Sequence, residues 1–568
     1  MGIQISQIKG DLVELVFDPR EEDLRVGDNL ALREKVSGRG LIVQVLEFRT
    51  VSYPSLLQEM LRLAVDTSQP LPASLFDLYR GLPQTSNLQV ATAKIRKMTD
   101  SRGQTVDSTS NRDSHQPSAT SHQPSTSWEQ WDGWIPTRDV EVEKTADDQV
   151  FANCLRDRGH LLCLGQTLYG QPFCLDGQSL EKVNIITGVK GAGKSHLAKV
   201  ILLQLIGQGA PCLVFDINRE YIHLPPHDQG RPGVIPLSAG GNFRLGVSQF
   251  GLAPLMTLLT KYGLPEVSAL HFENRLARLL AEMRQWAEQG KKPPFLGIDQ
   301  LIQMAEEKEF APGQAMADVI NGAIKSRLEA LRHTGLFARH PGEAVSLPEY
   351  YQRIRQGGAL VIELSALSNL ARTGLVQALI EMIKDICEEE IAKDSHRFPF
   401  VFFEEAHLYI PRASIDYLVT RARHLGITSF FVTNMIGGLD EAVLRQADNL
   451  FLLYLPFEDD VRHVAKTAIT DYQTIAAFVQ RLRGYHALVI GQATGRYPLI
   501  FQVDRLEGIH TAGETKLFFK DTTANRRQTD DSGSRRTADS GRAASGQRRT
   551  ADGGRQMLLP WVEAKVRG

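Results

Sequence analysis

The sequence predicts an α/β protein: a parallel sheet with helices on both faces, preceded by a small β-barrel and interrupted by an all-helical insertion. Three observations carry that prediction. Between residues 161 and 503, short apolar runs (183–186, 213–215, 360–362, 401–403, 430–432 and 450–453) alternate with stretches of helical period, the pattern of buried parallel strands joined by crossover helices. Ahead of residue 100 the texture is all-β. Across about 250–345 only helical period remains, with Leu276, Leu279, Leu280 and Met283 as one stripe.

The N-terminal strands are read from apolar runs at 12–17, 29–32, 41–46 and 89–93. Gly27-Asp28 and the Gly38-Arg39-Gly40 stretch supply turn chemistry between them, and a short amphipathic helix is expected near 56–63. Several short strands in so short a span suit a small closed barrel. Met1-Gly2 with Ser6 fits the loose N-myristoylation pattern, but Ile3 and Ile5 also alternate as the inward face of a first strand, and the sequence favours that reading. Residues 101–127 are rich in Ser, Thr, His, Gln and Pro and repeat a heptapeptide beginning at Ser114 and at Ser121. Such a segment has too little apolar surface to offset its ordering entropy. A second tract over 521–555 repeats a unit that begins Arg526-Arg527, Arg535-Arg536 and Arg548-Arg549; five aspartates interleave with its eight arginines, so it reads as a solvated spacer more than as a nucleic-acid clamp. The expected organisation is a barrel domain over 1–150, an α/β domain over 151–520 containing the insertion, the repeat tail over 521–555, and a short apolar segment over 556–568.

A chain of 568 residues exceeds one hydrophobic core. Lys and Arg (64) nearly balance Asp and Glu (66), a net charge of −2, which excludes a globally basic coat; any nucleic-acid contact must be a local patch or a pore. No run of eighteen apolar residues occurs and no secretory leader pattern opens the chain, so neither membrane insertion nor secretion is expected. Five cysteines without a C-x-x-C pair argue against a disulfide framework and a zinc knuckle and suit a cytoplasmic protein.

The chemistry concentrates in two segments. Gly188-Val189-Lys190-Gly191-Ala192-Gly193-Lys194-Ser195 is a complete G-x-x-x-x-G-K-S placed between a strand and a helix, the setting of a phosphate-binding P-loop. Its backbone N–H groups and the helix N-terminus would cradle phosphates. Gly188, Gly191, Gly193, Lys194, Ser195 and His196 form the expected nucleotide-binding set, with Lys194 reaching the β- and γ-phosphates of ATP and the Ser195 hydroxyl on Mg²⁺. The second segment is a hydrophobic strand, 399–403, ending in Glu404-Glu405. Here Glu404 is expected in the Mg²⁺ shell and Glu405 as the base that polarises the attacking water. Glu404 stands where Asp is usual. His407 has no second ligand at metal spacing, so it reads as a core or interface histidine.

Glu404-Glu405-Ala406-His407-Leu408-Tyr409-Ile410-Pro411 resembles the E/D-E-A-H-x-x-x-P signature of the HerA–FtsK superfamily of ring ATPases. Asp216-Ile217-Asn218-Arg219-Glu220-Tyr221 resembles the D-x-x-G-E-Y motif of the HerA family, with Arg219 where Gly is frequent. Arg421-Ala422-Arg423-His424-Leu425-Gly426-Ile427 resembles the segment preceding its sensor strand, and Thr433-Asn434 stands where Thr/Ser-Gln is usual. The resemblance covers roughly residues 1–100 and 128–515 and implies a RecA-like core, a homohexameric ring, double-stranded DNA as the track and a nuclease or other effector as partner. It also implies catalytic roles for Arg423, eighteen residues past Glu405 and acting on a neighbour's nucleotide, and for Asn434 as the γ-phosphate sensor. The leading expectation is an ATP-driven DNA translocase or helicase. A regulatory or scaffold ATPase with little DNA movement and a peptide-transporting ring motor stay open at this point.

Overall fold

The computed structural model describes residues 3–50, 89–100, 128–137, 140–155, 159–228, 230–313, 315–410 and 422–506. The helix expected near 56–63, the heptapeptide tract at 101–127, the repeat tail at 521–555 and the apolar segment at 556–568 lie outside these residues.

The N-terminal strands are β1 (Gln4–Lys9), β2 (Leu12–Phe17), β3 (Asn29–Glu34), β4 (Arg39–Thr50), β5 (Gln89–Asp100), β6 (Trp128–Glu129) and β7 (Val140–Lys144). They pair antiparallel in the order β1-β2-β5-β4-β3-β7, with β6 on β5. Along β2, Val13, Leu15 and Phe17 turn inward, the period-two alternation of a half-buried strand, and they pack with Leu30, Leu32, Leu41 and Val43. The β4–β5 ladder shifts register between Ile42 and Val43 and again between Val45 and Glu47. Such bulges bend and twist a strand, which curls this sheet. The expected barrel thus takes the form of an antiparallel half-barrel.

The second sheet contains β8 (Leu161–Thr167), β9 (Pro172–Asp176), β10 (Val183–Thr187), β11 (Pro211–Asp216), β12 (Val234–Ser238), β13 (Gly358–Glu363), β14 (Phe400–Glu404), β15 (Thr428–Thr433), β16 (Asn449–Leu452), β17 (His486–Gly491) and β18 (Leu499–Val503). Their order is β12-β13-β11-β14-β15-β10-β16-β17-β18-β8-β9. From β12 to β16 every pair is parallel; from β16 to β9 every pair is antiparallel. The apolar runs anticipated the parallel part. The antiparallel extension follows from its connections: 168–171 between β8 and β9 and 492–498 between β17 and β18 are too short for a crossover, which needs a dozen or more residues.

Alternation along the strands feeds two cores. Leu213, Phe215, Val401, Phe403 and Phe431 face one side, where the helix Asn369–Ala392 and the helices between β12 and β13 cover them. Cys212, Val214, Phe402, Phe430 and Val432 face the other, covered by the helix Lys194–Gly207. Stacked pairs continue across neighbouring strands, Phe402 on Phe430 at 4.4 Å and Phe215 on Phe403 at 5.1 Å between centroids. The helices between β12 and β13 include Leu252–Lys261, Glu266–Glu288, Ile298–Glu306 and Ala317–Arg332; of the expected stripe, Leu276 and Leu280 are buried.

Buried polar contacts tie the half-barrel to the antiparallel end of the large sheet. The Tyr497 hydroxyl donates to Asn29 Oδ1 at 2.6 Å, and Gln44 Nε2 donates to the Pro498 carbonyl at 2.9 Å. One expectation from cysteine usage is corrected: Cys163 and Cys174, facing each other across β8 and β9, are disulfide-bonded, while Cys154, Cys212 and Cys387 are free and buried. The two bonded residues are eleven apart and owe their proximity to the hairpin register, which no C-x-x-C spacing announces. No described helix is long and apolar enough to cross a membrane.

Candidate functional site

The parallel strands end together, and their C-terminal edge gathers the candidate residues. Such edges are where open α/β sheets bind ligands. β10 leads into the loop 188–193, and the helix Lys194–Gly207 starts at its end. Gly191 (φ 83°) and Gly193 (φ 108°) occupy the left-handed region, where any side chain would strain the loop. At Gly188 the demand is steric: a Cβ there would lie 2.8 Å from Leu453 Cβ.

The acidic strand is not the immediate neighbour of β10, because β15 lies between β10 and β14. Register still brings the ends level: Thr187 pairs with Thr433, and Val432 with Glu404. The separation is bridged by a side-chain bond. Ser195 Oγ donates to Glu404 Oε1 at 2.9 Å, and the Tyr221 hydroxyl donates to Glu404 Oε2 at 2.8 Å. Burial pushes the Glu404 carboxyl up to about 8, reinforced by the nearby Glu220 and Glu405, while the Tyr221 and Ser195 hydroxyls hold it down.

Glu405 sits just beyond the strand with φ 50°, in the left-handed region that few non-glycine residues adopt. Its Oε2 is buried without a hydrogen-bond partner, and His407 Nδ1 stands 3.6 Å away, beyond hydrogen-bond reach. His407 Nδ1 is instead 2.9 Å from the Thr433 hydroxyl. Burial lowers the His407 pKa, with Glu405 opposing, so the ring is held toward its neutral form. Asn434 Oδ1 is likewise buried and unpartnered. Lys194 folds over the loop and donates to the Val189 carbonyl at 3.2 Å. Its own burial lowers its pKa, opposed by Glu405, Glu404 and Glu220.

The turn after β11 supplies two further parts of the site, Glu220 and Tyr221. The Asp216 carboxylate accepts from the backbone N–H groups of Asn218, Glu220 and Tyr221, folding the segment back on the strand end. That fold aims Tyr221 at Glu404 and seats Glu220 against Lys199, at 3.2 Å, in the first turns of the P-loop helix. Lys199 is completely buried, and a charge so placed requires its partner. Arg219, at φ 59°, occupies the position where glycine is frequent in the resembling family, and its guanidinium pairs with Glu363 at 3.0 Å. The D-x-x-x-E-Y spacing was the available signal, but the pairing of Tyr221 with Glu404 crosses 183 residues.

The structure therefore gathers Gly188, Gly191, Gly193, Lys194, Ser195, Glu404, Glu405 and Asn434 at the C-terminal edge of β10, β14 and β15. His196 follows in the helix, but its ring turns away from Glu404, with Nε2 2.8 Å from the Asp504 carbonyl. Arg423 lies in the short helix Ala422–Leu425 ahead of β15; its side chain, like Arg421 and Pro411, is outside the described residues.

The donor set fits Mg²⁺. A hydroxyl and a carboxylate, 2.9 Å apart, are hard oxygen ligands, and crowding among Glu404, Glu405 and Glu220 is charge that a divalent cation would relieve. No cluster of three or more His, Cys, Asp or Glu poised to hold a metal occurs among the described residues.

The profile of the central domain of helicase HerA matches residues 160–383. The chain is 23% identical over 346 residues to the DNA double-strand break repair helicase HerA of Sulfolobus acidocaldarius, covering 58% of this chain and 66% of that one. To the protein of the same description from Sulfurisphaera tokodaii it is 26% identical over 166 residues, 28% of this chain and 33% of the relative. The chain thus spans about two thirds of the first relative's length and a third of the second's. Among solved structures, VirB4 of Thermoanaerobacter pseudethanolicus superposes with a TM-score of 0.46 at 16% identity, covering 62% of this chain and 99% of that one. The plasmid coupling protein TrwB in complex with ADP and Mg²⁺ gives 0.44 at 13% identity, covering 65% and 94%. The chain carries the central domain of helicase HerA and is a distant homologue of the HerA proteins.

Proposed function

We propose that this chain is an ATP-hydrolysing motor that assembles as a ring of six copies, as in the resembling family, and moves along double-stranded DNA in the cytoplasm together with a nuclease or other effector. The observation that carries the ATPase reading is the bond from Ser195 to Glu404, which joins the phosphate loop to the acidic strand across an intervening strand. The DNA and ring readings rest on the homology to HerA.

In this reading the loop N–H groups and Lys194 hold the β- and γ-phosphates, while Ser195 and Glu404 hold Mg²⁺. The ion, when bound, offsets charge on the phosphate oxygens. Glu405 acts as general base: its unpartnered Oε2 accepts a proton from water attacking the γ-phosphorus. The unpartnered Asn434 Oδ1 accepts from that water, and the amide N–H of the same side chain would donate to the terminal phosphate. Arg423 of one copy would reach the phosphates held by its neighbour.

The test is phosphate release by the full chain with and without double-stranded DNA, beside Lys194→Ala. Stimulation by DNA that Lys194→Ala abolishes supports the motor. A basal rate that ignores DNA would favour the regulatory ATPase instead.

A further inference from the structure

If the terminal phosphate of a bound nucleotide faces Glu405, the direction of the rest of the molecule follows. β14 lies on one side of β10, so the nucleoside must extend to the other, toward β16, β17 and β18. Three side chains converge there. Tyr485, just ahead of β17, donates its backbone N–H to the Ala192 carbonyl of the phosphate loop at 3.2 Å. Its ring lies so close to Gly193 that a Cβ on that glycine would be 3.3 Å from Tyr485 Cδ1. Arg505, two residues past β18, lays its guanidinium over the Tyr485 ring at 4.8 Å from the centroid. His196 meets the same ring edge-on, at 5.4 Å and 88°.

The arrangement is held by the backbone. Tyr485 adopts φ 62°, and its carbonyl accepts from the Val503 N–H at 2.8 Å. A glycine or asparagine would occupy that conformation with less strain, so the aromatic ring is an addition that the turn does not need. Arg505 is exposed, and its guanidinium carbon stands over the ring within cation–π reach. Stacked aromatic and guanidinium planes are the surfaces on which nucleobases are held without sequence-reading hydrogen bonds. Neither residue belongs to the phosphate-binding motif.

We propose that Tyr485 and Arg505 form the platform for the base of the bound nucleotide, with His196 bracing the tyrosine from the P-loop helix. The proposal rests on reading 188–195 as the phosphate site and adds the element that distinguishes a nucleotide from a bare polyphosphate.

The experiment measures binding to the full chain, by calorimetry with Mg²⁺ present, of two probes: ADP and inorganic tripolyphosphate. Loss of a stacking partner should weaken ADP by about 5- to 150-fold in Tyr485→Ala and Arg505→Ala, and leave tripolyphosphate within about twofold. Lys194→Ala should weaken both probes. Arg505→Ala removes an exposed side chain and keeps the test decisive should Tyr485→Ala fail to fold. Equal weakening of both probes by Arg505→Ala, or no change in ADP, would overturn the platform while leaving the phosphate site standing. Failure of the unmodified protein to bind either probe would overturn the underlying nucleotide reading instead.

Discussion

Replacing Tyr221 by Phe removes one oxygen atom and nothing else from a fully buried ring. That oxygen donates to Glu404 Oε2 at 2.8 Å, and the other carboxylate oxygen is served by Ser195. A hydrogen bond to an ionised acceptor is worth about 1.5–3 kcal/mol, so the ionised form of Glu404 loses support of that size. The loss raises its pKa by a further ~1–2 units, since each unit corresponds to about 1.4 kcal/mol. Burial already pushes the group up to about 8, so the ionised form that takes Mg²⁺ has little support to spare. The variant should therefore need more Mg²⁺ for half-maximal ATPase activity, and the acidic limb of its pH–rate profile should move upward by ~1–2 units, slowing turnover about 10- to 100-fold on that limb. The assay is steady-state phosphate release across pH and Mg²⁺ concentration, with a melting curve for each sample. An unchanged profile and Mg²⁺ requirement in a folded variant would refute the reasoning, because Glu404 would then work without Tyr221.

Glu405→Gln should bind ATP but hydrolyse it at least ~100-fold more slowly, the scale of losing a positioned acid–base group; a normal rate in single-turnover measurements would move the base elsewhere, with Glu220 the first candidate. Glu404 also predicts a pH effect on stability. Its folded pKa is raised above the usual 4.5, so its contribution is fully present below about pH 4.5 and is lost as pH rises through about 8. In nucleotide-free protein stripped of divalent ions, Glu404→Gln should show a shallower loss of melting temperature across that window than the parent; parallel curves would mean Glu404 does not titrate there. An arginine finger contributes about 10³–10⁵ in rate, so Arg423→Ala and Lys194→Ala should each be nearly inactive alone, while mixed rings of the two regain activity at boundaries pairing an intact P-loop with an intact Arg423. Mixed rings that form and stay inactive would exclude a role for Arg423 across the boundary.

The legible parts of this protein were those whose residues lie together in the chain. The phosphate loop is eight consecutive residues, and the acidic strand is an apolar run ending in two carboxylates; local pattern is enough for both. The placement of β15 between β10 and β14 is a matter of crossover order, which apolar runs do not encode. The turn from Asp216 to Tyr221 could be seen as a motif, yet its purpose depends on where Glu404 falls in the folded sheet. Arg219 illustrates the same limit. The sequence registers it as a departure from glycine, whereas its positive φ and its pairing with Glu363 emerge only when β11 and β13 lie side by side. The antiparallel strands β17, β18, β8 and β9 lie outside the apolar runs picked out in the sequence, and the short connections 168–171 and 492–498 account for two of their pairings. Cys163 and Cys174 meet because of hairpin register.

The central claim is that the phosphate loop and the end of β14 form one ATP-hydrolysing site. Its most direct test is the rate of phosphate release from ATP and Mg²⁺ by the unmodified full chain and by Lys194→Ala, each shown by circular dichroism and melting temperature to be folded. The account predicts turnover by the unmodified protein and background release by the variant; equal rates in the two folded proteins would contradict it.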